Sequence, residues 1–125
     1  MAARILLVLS ILTFGGLGIA FAFQPKRMAA TVDLVLPTPT ARADLMATYG
    51  GFEIGFALFL LICLLRGDAG VAQGLLASGL VLAGFGTARL AGILTADGPV
   101  RSLMYWLLAI EVVATAACLW LARRA

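Results

Sequence analysis

The sequence predicts an all-α membrane protein, four transmembrane helices in an antiparallel bundle, and three observations carry that reading. The chain of 125 residues is 63% hydrophobic and 12% charged, against about 45–50% and about 25% for soluble domains. Its mean hydropathy is +1.10, so its polar residues are too few to cover a water-facing surface. Apolar stretches run over residues 5–23, 45–65, 71–94 and 102–122, each close to the ~20 residues that cross a hydrocarbon core of ~30 Å. Backbone exposed to lipid must satisfy its own hydrogen bonds, so these stretches read as helices. Together they fill most of residues 1–125, which are expected to form a single integral membrane domain.

The first stretch follows Arg4 and ends on Ala20-Phe21-Ala22, a small-residue pattern like a signal-peptidase site. The apolar run from Ile5 to Phe23 exceeds the ~7–15 residues of a signal-peptide core, so a retained span is expected. A long connection over residues 24–44 follows, punctuated by Pro25, Pro37 and Pro39. Within it Met28–Leu36 reads equally as a short helix at the membrane surface or as plain interfacial loop. The later connections are short: Arg66-Gly67-Asp68 and Asp97-Gly98-Pro99 are turn signals. The second, third and fourth spans are therefore expected to be antiparallel neighbours.

Composition excludes several functions. Net charge is +3, with basic residues scattered singly or in pairs, so nucleic-acid binding is not expected. With no histidine and no Cys-x-x-Cys pair, thiolate–imidazole metal sites are excluded, and no cofactor is expected. No nucleophile stands beside a base, which argues against an enzyme.

Three charges interrupt the apolar runs: Glu53, Arg89 and Glu111. Such a residue costs at least ~2.5–3.5 kcal/mol to insert and normally has a partner or a task. At 1.5 Å per residue, Glu53 lies ~12 Å, Glu111 ~13 Å and Arg89 ~8 Å from the face that carries the first and third loops. Side chains tilt towards their helix N-terminus, which brings the two carboxylates up and the guanidinium down to one level. A planar fork of five donors can serve two carboxylates, so an interhelical Glu53–Arg89–Glu111 cluster is expected. It holds one carboxylate more than its cation neutralises, and a proton on one Glu would balance it. The cluster is either a clamp that fixes helix packing or a polar-ligand or proton site.

Around it, Tyr49, Tyr105 and Trp106 read as interfacial anchors, Tyr49 alternatively as lining a cavity, four residues before Glu53. Gly50, Gly51 and Gly55, and the series Gly84, Ala88 and Gly92, have the small-residue spacing of close helix packing. The alternative is a ligand slot formed by Gly50, Gly51 and Gly55 with Tyr49 and Tyr105. Gln73, Ser78 and Thr115 read as interhelical hydrogen bonders.

The segment Arg42-Ala43-Asp44-Leu45-Met46-Ala47-Thr48-Tyr49-Gly50-Gly51-Phe52-Glu53, with Gly55 behind it, resembles a bacterial family of small four-helix membrane proteins, domain of unknown function 4345. Ala88-Arg89-Leu90-Ala91-Gly92, Asp97-Gly98 and Glu111 extend the resemblance over nearly the whole chain. Ala47 departs from it, since family members often carry Arg there. The resemblance implies a four-helix fold and a bacterial inner (cytoplasmic) membrane location, and supplies no activity.

Three functions compete. One is an accessory or packing subunit of a larger complex, or a binder of a lipid or quinone-like molecule. Another is a proton-coupled carrier working as a homo-oligomer, with Glu53 or Glu111 taking the proton. A membrane enzyme using a protonated Glu on an apolar substrate is a third. Basic residues divide equally between the two faces, and Arg123 and Arg124 tip both termini towards the cytoplasm.

Overall fold

Apolar side chains with helix-compatible spacing and self-satisfying backbones produce the expected architecture. The computed structural model describes residues 1–125 and contains helices and no strands. Helix α1 spans Ala2–Phe23, and α2 spans Pro25–Thr31. Helix α3, Pro39–Leu45, runs without a break through a π-turn, Met46–Gly51, into α4, Phe52–Leu65. Helix α5 spans Asp68–Leu94 and α6 spans Ser102–Ala122. Four helices are long and apolar enough to cross a membrane: α1, the composite Pro39–Leu65, α5 and α6.

The long first connection does contain a short helix, but at Pro25–Thr31 rather than across Met28–Leu36. Pro25 supplies the reason: its fixed φ suits the first helical turn, where its missing N–H has no task. The second span also begins earlier than hydropathy suggests. Pro39 again starts the helix, and the Thr38 hydroxyl caps it by accepting from the Ala41 N–H at 3.1 Å. Phe21, Ala29 and Leu45 form a small buried cluster, with Met28 and Leu36 against it, that seats this connection on the bundle end. Arg101, from the third loop, donates to the Thr31 carbonyl and pairs with Asp33 at 2.9 Å.

The spans pack mainly as two pairs, α1 with the π-turn and α4, and α5 with α6. The main core joins the pairs through Leu7, Phe14, Ala57, Leu60, Val71, Leu75 and Cys118. Most buried positions of α5 lie between Gly70 and Gly79, with only Gly86 beyond. The bundle is thus tied at the end carrying the α4–α5 turn. Gly67, at φ 80°, makes that turn, a conformation L side chains rarely adopt.

Glycine sets the helix spacing, though not at all the expected positions. A Cβ on Gly18 would stand 2.8 Å from the Ile54 nitrogen, and one on Gly50 would stand 3.0 Å from the Ala22 nitrogen. At Gly70 it would strike the Cys63 carbonyl oxygen, and at Gly79 it would lie 2.7 Å from Leu119. By contrast, Gly55, Gly84 and Gly92 face open space, and Gly51 meets only the Met46 carbonyl oxygen at 3.9 Å. Hydrophobic faces here point to lipid as well as to the core, so small-residue spacing alone does not reveal which side a glycine takes.

Gly50→Ala and Gly18→Ala should each lower stability by about 1–3 kcal/mol through overpacking against backbone. Gly84→Ala and Gly92→Ala should be neutral or stabilising by up to about 1 kcal/mol, from helix propensity alone. Thermal unfolding in one detergent would rank the four; equal losses in both pairs would contradict the packing described.

Candidate functional site

Two of the three charges that interrupt the apolar runs, Glu53 and Glu111, are buried. Counted from the α4–α5 end, Glu53 lies ~18 Å above Leu65 and Glu111 ~17 Å above Ala122, a common depth. Arg89, on α5, meets Glu111 of α6. Its Nε donates to Glu111 Oε2 at 2.9 Å and Oε1 at 3.1 Å, and its Nη2 donates to Oε1 at 2.6 Å. Nη1 turns instead to the Met104 sulfur at 3.3 Å. The Glu111 side chain is 8% exposed and that of Arg89 24%. Gly86, one turn before Arg89, is buried beneath the Glu111 side chain. The pair fastens α5 to α6 by a bidentate, charge-assisted contact.

Glu53 does not join this pair. The expected three-residue network is not formed: no hydrogen bond or ion pair reaches Glu53, which is 6% exposed. Its Oε2 is buried without a partner. Depth and Cβ tilt were sufficient to unite Arg89 and Glu111, because α5 and α6 are consecutive and closely packed. Glu53 belongs to the other helix pair, and its azimuth is set by the π-turn before it.

That turn decides which residues around Glu53 face inward. Leu45 and Gly50 are both buried and stand five apart, the spacing of a π-turn rather than an α-turn. Tyr49, 42% exposed, stacks on the buried Phe21 of α1, ring centroids 5.1 Å apart. Beyond the turn Glu53, Ala57, Leu60 and Cys63 are buried in α-helical succession. Gly51 and Gly55 are each two residues from Glu53, so they project about 160–200° away from it. Of the five residues considered for a slot, Gly50 is buried against α1, Tyr49 lies on Phe21, and Gly51, Gly55 and Tyr105 are exposed. Tyr105 and Trp106 lie on the outer side of α6, 52% and 70% exposed.

The Ser78 and Thr115 hydroxyls are buried without a hydrogen bond, contrary to the interhelical bonding expected of them. Ser10, on α1, is buried and returns its hydroxyl to the Leu6 carbonyl at 3.0 Å. No sequence signal had singled it out, since one serine in an apolar helix has no distinguishing spacing. No group of His, Cys, Asp and Glu is placed to hold a metal ion. Cys63 and Cys118 are buried, free thiols.

Four membrane-length helices with an ion pair inside the apolar zone define a multi-pass α-helical membrane protein. More narrowly, the chain belongs to the family described as a domain of unknown function, DUF4345, whose sequence profile matches residues 2–122. No curated protein and no solved structure matches it.

Breaking the pair from one side leaves a buried charge. Arg89→Ala should cost about 3–5 kcal/mol, and Arg89→Met with Glu111→Leu should recover most of that loss. Glu53→Gln, which breaks no ion pair, should cost far less. A double-mutant cycle by thermal unfolding in detergent checks all three; additive losses at Arg89 and Glu111 would mean the pair is not coupled.

Proposed function

We propose that this protein is a non-enzymatic binder of an apolar molecule with a polar head, lipid- or quinone-like, and that Glu53 receives the head. One observation carries the reading: a carboxyl group within the membrane zone is buried, and one of its oxygens has no partner in the protein. An unserved ionisable group is costly at that depth, which is why such groups mark ligand or ion pathways. A carboxylate there accepts from a hydroxyl or amine; a carboxylic acid also donates to a carbonyl such as a quinone oxygen. The Arg89–Glu111 pair is then the fixed wall of the bundle rather than the moving part. We place the protein, as one domain over residues 1–125, in a bacterial inner membrane, with Arg123 and Arg124 holding both termini in the cytoplasm. A larger membrane complex or a homo-oligomer is compatible with this reading, and nucleic acid has no part in it.

The same carboxyl group supports a second reading, the proton-coupled carrier, with Glu53 taking the proton. Organic extraction of the purified protein, followed by mass spectrometry of lipids and quinones, tests the first. Wild type should carry a discrete species that Glu53→Leu loses by about ten-fold, the equivalent of one hydrogen bond to a charged group. An unchanged extract from a folded Glu53→Leu protein would sink the binding reading. Proton flux into dye-loaded proteoliposomes, abolished by Glu53→Gln, would select the carrier. For topology, Thr38→Cys and Arg124→Cys should react from opposite sides with an impermeant maleimide, since both native cysteines are buried. Labelling of Arg124→Cys in intact cells would reverse the orientation.

A further inference from the structure

The first connection carries its own feature, independent of Glu53. Between the start of α2 and the start of α3 lies a pocket of about 390 Å³, lined by Lys26, Thr38 and Arg42 with Leu36 and Met46. That volume is within the range of small-molecule sites, about 300–1,000 Å³. No carboxylate lines it. Lys26 and Arg42 have no ion-pair partner, whereas Arg101 on the same face is engaged by Asp33 at 2.9 Å. Arg27, next to Lys26, is turned to Gln24 at 3.3 Å. Two cations thus share one concave surface, neither of them engaged in an ion pair.

The depth of the pocket limits what fills it. Met46 opens the π-turn and follows Leu45, whose side chain is buried with Phe21 and Ala29 at the top of the bundle. On the same face the exposed rings of Tyr105 and Trp106 stand in the first turn or so of α6, the level at which aromatic side chains mark a membrane interface. The pocket therefore lies at the level of a bilayer's phosphate groups, and its lining combines cations with apolar side chains. A dissolved anion would use the cations alone; a phospholipid uses both parts.

We infer that the Lys26–Thr38–Arg42 pocket binds the headgroup phosphate of an anionic phospholipid, its glycerol and upper acyl carbons resting on Leu36 and Met46. Lys26 and Arg42 contact the phosphate oxygens as charged donors, and the Thr38 hydroxyl, which accepts from the Ala41 N–H, retains its own proton to donate.

Native mass spectrometry of the full chain, exchanged into mixtures of phosphatidylglycerol and phosphatidylcholine, tests this. Wild type should retain phosphatidylglycerol preferentially. Lys26→Ala and Arg42→Ala should each weaken that retention about five-fold, the effect of one cation near an anionic surface, and together about 25-fold. Lys26→Arg should retain the preference, which separates lost charge from a misfolded loop. Arg66→Ala, on the opposite face, should change nothing. Equal loss from Arg66→Ala, or unchanged retention in the double variant, would overturn the proposal. So would displacement by inorganic phosphate as effective as that by phosphatidylglycerol, which would make the pocket a site for a free anion.

Discussion

A guanidinium placed in hydrocarbon must meet a carboxylate, and the Arg89–Glu111 pair is the contact that the arrangement of this bundle turns on. It fixes the register of α5 against α6 at a depth where a slip by one turn would leave two charges stranded. Two donors of Arg89 close on one carboxylate, and the third nitrogen leans on a methionine sulfur. Nothing of the fork remains directed at a second acid. The stoichiometry that looked like two carboxylates sharing one cation is therefore one complete pair and one solitary acid.

The rest of the packing follows from how lipid changes the value of small side chains. Apolar residues gain nothing by leaving lipid for the bundle interior, so shape and close approach decide which faces meet. Gly18 and Gly50 bring α1 and the second span within backbone contact, Gly70 does the same between α5 and α4, and Gly79 leaves room for the Leu119 side chain of α6. Phe14 meets Phe56 edge-to-face at 4.8 Å in the same interface. The outer glycines of α5 make no such contact. In the half of the bundle near the first loop, the two helix pairs are less interlocked, and that is where Glu53 is found.

The π-turn links this packing to the polar site. One residue beyond α-helical spacing lets Leu45 seal the first connection while Gly50 and Glu53 still face inward. A regular helix would satisfy one of these demands and turn the other face to lipid. Such turns often occur at functional positions, and this one ends two residues before the unpartnered carboxyl group.

Much was legible in the sequence alone. Length and hydropathy determined four membrane-length helices, because lipid allows an exposed spanning segment little choice but the α-helix. The charges inside those runs named the polar residues, and helix rise gave their depths, since both are properties of single segments. Azimuth was not legible. Whether Gly51 and Gly55 face a neighbour or lipid, whether Tyr49 lies on the face of Glu53, and which acid Arg89 chooses all depend on how helices meet. Hydropathy cannot report that where core and solvent are equally apolar. The sequence determined that three charges lie in one half of a four-helix membrane protein. Only the tertiary structure decided that two of them pair and the third stands alone, because a guanidinium fork closes on whichever carboxylate the packing presents to it.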